Sequence, residues 1–544
     1  MTSSLLVSPC SECFRIDDIY LAILQEAYGD GEGRATVAHL ALTSRMLSEG
    51  AITVLWQHLT SLVPLLGLIP ENVWERVKMQ TSSEERALAW CDVLQSSYMH
   101  NFLRRREGIR RLTWDQNDDI GSPRFELKTA LLADLPPDFI LFPQLRTYTW
   151  TASVHVYSHL GTIPQLVDLR HFIHGRLRDL VLRLPATSAP AMNTLAMVRN
   201  DAVPLRSLRI IEDTPALWYW YLPEQDGPEN NAVSAAIAGV IRESNTLRVF
   251  TCTRSVSDPV FAAALHAKSL RAIEFTLKLT SHDDTAAALI PHSPALEVLS
   301  LSIQDMNSTA PAVLAAIGTV PLRRLSLNVM YRSCTDSDSD RLQEALQRLA
   351  DGICAQTLER VDVYDMHEAD ASYELDIAFH EAGIVVDFYG AQIARAHTDC
   401  LLSLATLRPL LRLSSLTHLG VHAAALALTS ADLLVMVRAL PRLSVLSLAA
   451  RIPFFTTSVP DLGALQWIAE HCPSLRVLSL AVGVGDAIPA QQAGWTSSSQ
   501  VQTLRIGLPR GRGENPGVNG YVTALFPNAQ DLQFAYYTPM YDVL

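Results

Sequence analysis

Apolar residues recur along this chain in one arrangement, apolar-x-x-apolar-x-apolar, fourteen times. The clearest copies are Leu177-x-x-Leu180-x-Leu182, Leu205-x-x-Leu208-x-Ile210, Leu270-x-x-Ile273-x-Phe275, Leu296-x-x-Leu299-x-Leu301, Leu322-x-x-Leu325-x-Leu327, Leu358-x-x-Val361-x-Val363, Leu416-x-x-Leu419-x-Val421, Leu443-x-x-Leu446-x-Leu448 and Leu475-x-x-Leu478-x-Leu480. Weaker copies begin at Ile109, Leu145, Leu247, Val501 and Ala529. Within each copy the last two anchors are separated by one residue, so they share one face of a strand while their neighbours take the other. The step from Leu270 to Leu296 and from Leu296 to Leu322 is 26 residues, and from Leu416 to Leu443 it is 27. The thirteen intervals between Ile109 and Ala529 average about 32 residues.

That pitch belongs to leucine-rich repeats, in which each unit is a short strand with a helix or irregular return. One such unit cannot bury its apolar face alone, and stacking neighbours closes the core. The expected fold is therefore an α/β solenoid, a curved parallel sheet with helical returns over residues 107–537. The 58 residues between Leu358 and Leu416 are nearly two steps, and residues 384–390 in the middle have the look of a degenerate strand. Loop insertions are expected at 212–232, 332–340 and 508–520, all rich in Gly, Pro, Ser, Asp or Asn.

The first hundred residues follow a different period. Residues 15–70 predict three short helices. Asp17 caps the first, which carries Ile19, Ile23, Leu24 and Ala27 and stops at Gly29. Thr36 caps a second with Val37, Leu40 and Leu47 on one face. Ser48 caps a third with Ala51, Leu55, Trp56 and Leu59. Pro64 and Pro70 close the unit. Residues 71–106 predict a helical connector that covers the first repeat. Within it Ser82 and Glu85 have capping-box spacing, and the helix behind them presents Leu88, Cys91, Leu94 and Tyr98.

Composition narrows the class. The chain has 544 residues, 49% hydrophobic and 18% charged, which describes a folded, core-rich protein. Its net charge of −13 disfavours nucleic acid and anionic membranes as partners. The first ten residues lack the basic start of a signal peptide, and no apolar run reaches the length of a membrane span. The eight scattered cysteines suit a reducing compartment, cytoplasm or nucleus, with mostly buried thiols.

The N-terminal segment resembles an F-box. The likeness is carried by Ile16-Asp-Asp-Ile-Tyr-Leu-Ala-Ile-Leu24, then Ala35-Thr-Val-Ala-His-Leu-Ala-Leu-Thr-Ser-Arg45, then Ala51-Ile-Thr-Val-Leu-Trp56. The tail from Leu55 to Pro70 is similar to that of a large fungal set of F-box/leucine-rich-repeat proteins. The chain departs from the pattern at Arg15-Ile16, where Leu-Pro is usual, in the loop at 29–33, and at Met46. The resemblance implies a role without catalysis or cofactor: the F-box binds the Skp adaptor and through it a cullin-RING ubiquitin ligase, and the repeats hold a protein substrate. Ile19, Ile23, Leu24, Val37, Leu40, Leu55 and Trp56 would then form the adaptor-binding set.

The rest of the sequence offers little chemistry of its own. Cys10-x-x-Cys13 has zinc spacing but no second pair nearby. His418 and His422 lie about 13 Å apart along one strand, too far for one metal. Residues 336–340, Asp-Ser-Asp-Ser-Asp, lack the glycine and distal glutamate of a calcium loop and suit a solvated acidic loop. The residues between the anchors are more informative. Polar and aromatic side chains concentrate in the middle copies, giving Arg324, Asn328, Arg360, Asp362, Tyr364, His418 and His422 as the substrate-binding candidates. The corresponding places in the copies at 443 and 475 hold Val445, Ser447, Ala449, Val477, Ser479 and Ala481. Trp218, Tyr219, Trp220 and Tyr221 are a second docking candidate. Two other functions fit the same pattern: a stand-alone repeat scaffold whose helices cap the array, and a repeat-fold regulator of a small GTPase acting through Arg324 or Arg360.

Overall fold

The computed structural model describes residues 17–29, 33–43, 45–80, 82–115, 134–136, 138–151, 169–184, 189–200, 202–212, 228–256, 258–278, 295–304, 310–331, 336–367, 401–423, 425–450, 459–485, 487–489, 497–509 and 515–537. The backbone divides into two compact units, Met1–Leu247 and Arg248–Leu544.

The first unit begins with three helices, α1 (Asp17–Gly29), α2 (Gly33–Thr43) and α3 (Arg45–Gln57). They close around Tyr20, Leu24, Val37, Ala51 and Val54. The Tyr20 hydroxyl donates to the Leu47 carbonyl. Its ring lies so near Gly50 that a Cβ there would sit 2.3 Å from Cε1, so only glycine fits. α1 starts and stops where the sequence predicts. α2 and α3 start earlier than Thr36 and Ser48, which fall inside the helices; a hydroxyl caps only where the backbone enters the helix and is tolerated within the first turn. Pro64 and Pro70 are not stops. Pro64 lies in the first turn of the helix Val63–Leu66, and Pro70 is the N-cap of the helix Glu71–Lys78, positions where proline's missing N–H costs nothing.

In the connector, Ser82 and Glu85 form the expected capping box on the helix Ser83–Leu94. The buried stripe of that helix is Ala89, Trp90 and Val93 instead of the set containing Leu88 and Cys91. Leu88 is 67% exposed. Trp90 decides the rotation, because its ring meets Trp74 edge to face at 5.5 Å.

Five strands follow in sequence order, each parallel to the last: β1 (His58–Leu59), β2 (Arg111–Asp115), β3 (Thr147–Thr151), β4 (Asp179–Leu184) and β5 (Ser207–Glu212). β1 comes straight from the end of α3 and was not foreseen. The anchors align across the sheet, with Leu112 opposite Tyr148, Tyr148 opposite Leu180, and Leu180 opposite Leu208. Phe172 stacks on Tyr148 at 5.1 Å behind this sheet.

The second unit repeats the plan with β6 (Val249–Val256), β7 (Ala272–Lys278), β8 (Val298–Gln304), β9 (Arg324–Tyr331) and β10 (Arg360–His367). After the small parallel pair β11 (Leu401–Ser403) and β13 (Ala425–Ala427), the main sheet resumes. Its remaining strands are β12 (His418–Ala423), β14 (Val445–Ala450), β15 (Val477–Ala481), β16 (Thr503–Pro509) and β17 (Asp531–Tyr537). Every neighbouring pair is parallel. The register runs Ile273, Leu299, Leu325, Val361, Leu419, Leu446, Leu478, Leu504 and Leu532. All but the last are nearly sealed from solvent, and Leu532 on the final strand is 36% exposed.

All fourteen repeated copies thus begin a strand, in one unbroken order within each unit. Residues 384–390 lie outside the described residues, and the main-sheet strands on either side of them, β10 and β12, pair directly. Residues 336–340 are not an acidic loop. They open the helix Asp336–Ala350, where acidic residues suit the positive end of the helix dipole. The expected insertion at 508–520 also shortens, because Asn515 caps the helix Pro516–Leu525. Part of the insertion at 212–232 becomes the helix Pro228–Glu243. Cys252, Cys354 and Cys472 are buried, and burial pushes the Cys354 thiol up to about 12 and Cys472 up to about 11. Cys91 is exposed.

Candidate functional site

β9, β10 and β12 carry the seven substrate-binding candidates on one sheet face. Their alternate residues, Leu325, Leu327, Val361, Val363, Leu419 and Val421, are buried on the other face. Parallel pairing without slippage then arranges the outward residues as a grid. Arg324, Arg360 and His418 form one row. Ser326, Asp362 and Gly420 form the next. Asn328, Tyr364 and His422 form the third. Neighbouring strands in a sheet stand about 4.8 Å apart, so side chains along a row are in reach of one another.

Asp362 is the centre of the grid and is only 5% exposed. Arg360 Nε donates to Oδ2 at 2.6 Å, and His418 Nε2 meets Oδ1 at 3.0 Å. Burial works to raise the Asp362 pKa. Hydrogen bonds and charge from His418 and Arg360 outweigh it and hold the carboxyl below its ordinary value. The pair therefore fixes Arg360 and His418 in place. Gly420 makes this possible, since a Cβ there would lie 2.3 Å from Asp362 Oδ1.

The third row is an aromatic platform. The Tyr364 and His422 rings stack with centroids 4.8 Å apart and an 8° tilt. Beside them Asn328 Oδ1 is buried and accepts no hydrogen bond among the described residues. Such an acceptor carries an uncompensated desolvation cost of about 1–3 kcal/mol until a donor reaches it. The strands on either side supply mainly small or apolar groups: Val298, Ser300 and Ser302 on β8, and Val445, Ser447 and Ala449 on β14. An exposed guanidinium at Arg324, a half-exposed one at Arg360, a flat ring pair and an open amide oxygen suit recognition of another molecule's polar groups and planar surface. No three His, Cys, Asp or Glu side chains among the described residues are grouped to hold a metal.

The seven adaptor-binding candidates divide. Leu24 and Val37 are buried at the centre of the three-helix core, so they hold the helices together and present nothing outward. Leu40 and Leu55 pack partly against that core. Trp56 is half-buried, with the Arg105 guanidinium 5.9 Å from its ring centroid. Ile19 and Ile23 are each 41% exposed, one turn apart on the outer side of α1. Trp218 through Tyr221 and the pair Cys10 and Cys13 lie outside the described residues.

Gly420 is the member of the site that sequence reasoning missed. Its signal, a glycine inside an anchor-spaced strand between His418 and His422, was available and marks a close approach.

No protein-family model matches the chain, and no curated protein is similar to it. Fifty-four chains of solved structures match. One comes from the crystal structure of the Rad7 and Elc1 complex in yeast, at 12% identity, with a TM-score of 0.33, covering 99% of this chain and 100% of that one. A likeness at that score carries no argument for function.

Proposed function

We propose that this chain is a non-catalytic substrate receptor of a Skp-cullin-F-box ubiquitin ligase. α1–α3 dock on the Skp adaptor, and the face formed by β9, β10 and β12 holds a protein substrate. The observation that carries the reading is the grid around Asp362: a polar and aromatic surface whose centre is held rigid by its own hydrogen bonds, which is equipment for binding. Such a protein acts by proximity, raising the effective concentration of a substrate lysine near the charged conjugating enzyme. Among the described residues no helix is long and apolar enough to cross a membrane. We place the work in cytoplasm or nucleus, where cullin ligases act.

The adaptor surface narrows to the exposed pair Ile19 and Ile23. Changing both to Asp leaves Tyr20, Leu24 and Val37 untouched. Co-purification of the Skp adaptor with the full chain is expected to vanish while the melting temperature stays within a few degrees. Undiminished adaptor capture by the folded double variant contradicts the proposal.

A further inference from the structure

The residue just before each repeat strand forms a second row, along the N-terminal edge of the sheet. In the first unit that row is Arg110, Arg146, Arg178 and Arg206. The first three backbone carbonyls each accept two hydrogen bonds from the next repeat. Arg110 O accepts from the N–H groups of Arg146 and Thr147 at 2.8 and 3.1 Å, Arg146 O from Arg178 and Asp179, and Arg178 O from Arg206 and Ser207. The four arginines are therefore locked at the strand pitch of about 4.8 Å. A cavity of about 410 Å³ opens beside them, lined by Gln144, Arg146, Arg176, Arg178 and Arg206, with no acidic or aromatic lining residue. A second cavity, lined by Arg110 and one acidic residue, Glu107, and sharing Gln144 and Arg146, continues it.

No ion pair among the described residues neutralises the row. Arg110, Arg146 and Arg206 are exposed and make no side-chain hydrogen bond or ion pair there. Arg178 donates only to the carbonyls of Gly175, Leu177 and Pro204. Arg176 donates to Gln144 Oε1. The second unit handles the same position differently. There, from Arg271 to Glu359, the row alternates in sign, with Arg271 3.9 Å from Glu297 and Arg323 3.7 Å from Glu359. The field of the first unit's arginines reaches nearby groups: after burial, Arg111 and Arg110 help to lower the His58 pKa, and Arg176 helps to lower that of His174.

We propose that the arginine row of the first unit is a binding groove for an extended protein segment bearing clustered phosphates or carboxylates. Guanidinium groups repeated at this pitch repel one another, and anions laid across them remove the repulsion through paired charge-assisted hydrogen bonds. Four positions span about 14 Å, the length of about four extended residues. A nucleic acid is the weaker fit, because the chain carries a net charge of −13 and the groove offers no aromatic ring for base stacking. The groove belongs to the first unit and the β9–β12 face to the second, and the proposal stands whether or not the receptor reading holds.

The test is fluorescence anisotropy on the full chain with a labelled octapeptide of alternating phosphoserine and aspartate. An unphosphorylated serine–alanine peptide and a single-stranded oligonucleotide of equal charge are the comparisons. The phosphopeptide is expected to saturate and to weaken with salt, while the neutral peptide does not bind. The double variants R146E/R206E and R146Q/R206Q, both at exposed positions, are expected to weaken binding about tenfold or more, and R271Q in the second unit to leave it unchanged. The proposal is overturned if the native chain shows no saturable binding up to about 1 mM peptide. It is equally overturned if the double variants bind as tightly as the native chain, or if the oligonucleotide binds as tightly as the phosphopeptide.

Discussion

The strands β10 and β12 and the strands β14 and β15 are built on one set of anchors, yet their outward faces share almost nothing. Val361, Leu419, Leu446 and Leu478 sit in one register and are all sealed from solvent. Across from them, β10 and β12 present Arg360, Asp362, Tyr364, His418 and His422. β14 and β15 present Val445, Ser447, Ala449, Val477, Ser479 and Ala481. The backbone tolerates either set, so the fold does not require the crowded one. Asp362 also carries a cost the plain strands avoid, a carboxylate withdrawn from water and balanced by two partners. The difference teaches that anchors decide the architecture, while the residues between them are free to be selected for binding.

The comparison breaks most severely at an anchor. Leu325→Asp places an unpaired carboxylate where the leucine is 1% exposed, and several kcal/mol of stability should be lost. Arg324→Asp, one residue away and exposed, should cost about 0.5 kcal/mol or less. Thermal denaturation giving the opposite order would shift the register of β9 by one residue.

A smaller effect is expected at the glycine of the grid. Gly420→Ala drives a Cβ against Asp362 Oδ1 and should cost about 1–3 kcal/mol. Ser447, opposite Gly420 on the plain strand β14, should accept alanine with a change of about 0.5 kcal/mol or less. Equal melting temperatures for the two variants would show that the crowding around Asp362 is not required.

The smallest effect depends on pH. The folded Asp362 carboxyl titrates below its ordinary 3.8, so its contribution is present above that value and fades as pH falls through the lower folded one. Asp362→Asn should therefore destabilise near neutral pH, by about 1–2 kcal/mol, and the gap from the native chain should narrow as pH falls below the ordinary carboxyl value of 3.8. A gap that widens in acid would reverse the assigned direction.

The strands were legible because their signal is local and repeated. Even the weak copies at Ile109, Leu145 and Val501 place a buried residue just ahead of a strand. The grid followed from that register, since matching positions in copies adjacent in sequence become neighbours in the sheet. Helix starts were less legible. Thr36, Ser48, Pro64 and Pro70 are each compatible with a start, an interior first turn or a stop, and only the chain's path chooses. Residues 336–340 show the same ambiguity, since acidic runs suit loops and helix N-termini alike. The close approach of Gly420 to Asp362 and the His418–Asp362 pairing are contacts between strands about sixty residues apart, beyond any local pattern. The arginine row was in view as an anchor followed by Arg at Ile109, Leu145, Leu177 and Leu205, but its meaning depends on seeing which rows lack acidic partners.

The central claim is that the face of β9, β10 and β12 reads a protein substrate. Its most direct test is quantitative affinity capture of the full chain under proteasome inhibition, comparing an Arg324→Ala, Tyr364→Ala, His422→Ala variant with a Ser447→Ala, Ser479→Ala variant. Both spare the buried anchors and the Asp362 pairings. The account predicts that the first keeps the Skp adaptor and its melting temperature but loses enriched substrates, while the second keeps all three. Capture of the same substrates at the same level by both variants would contradict it.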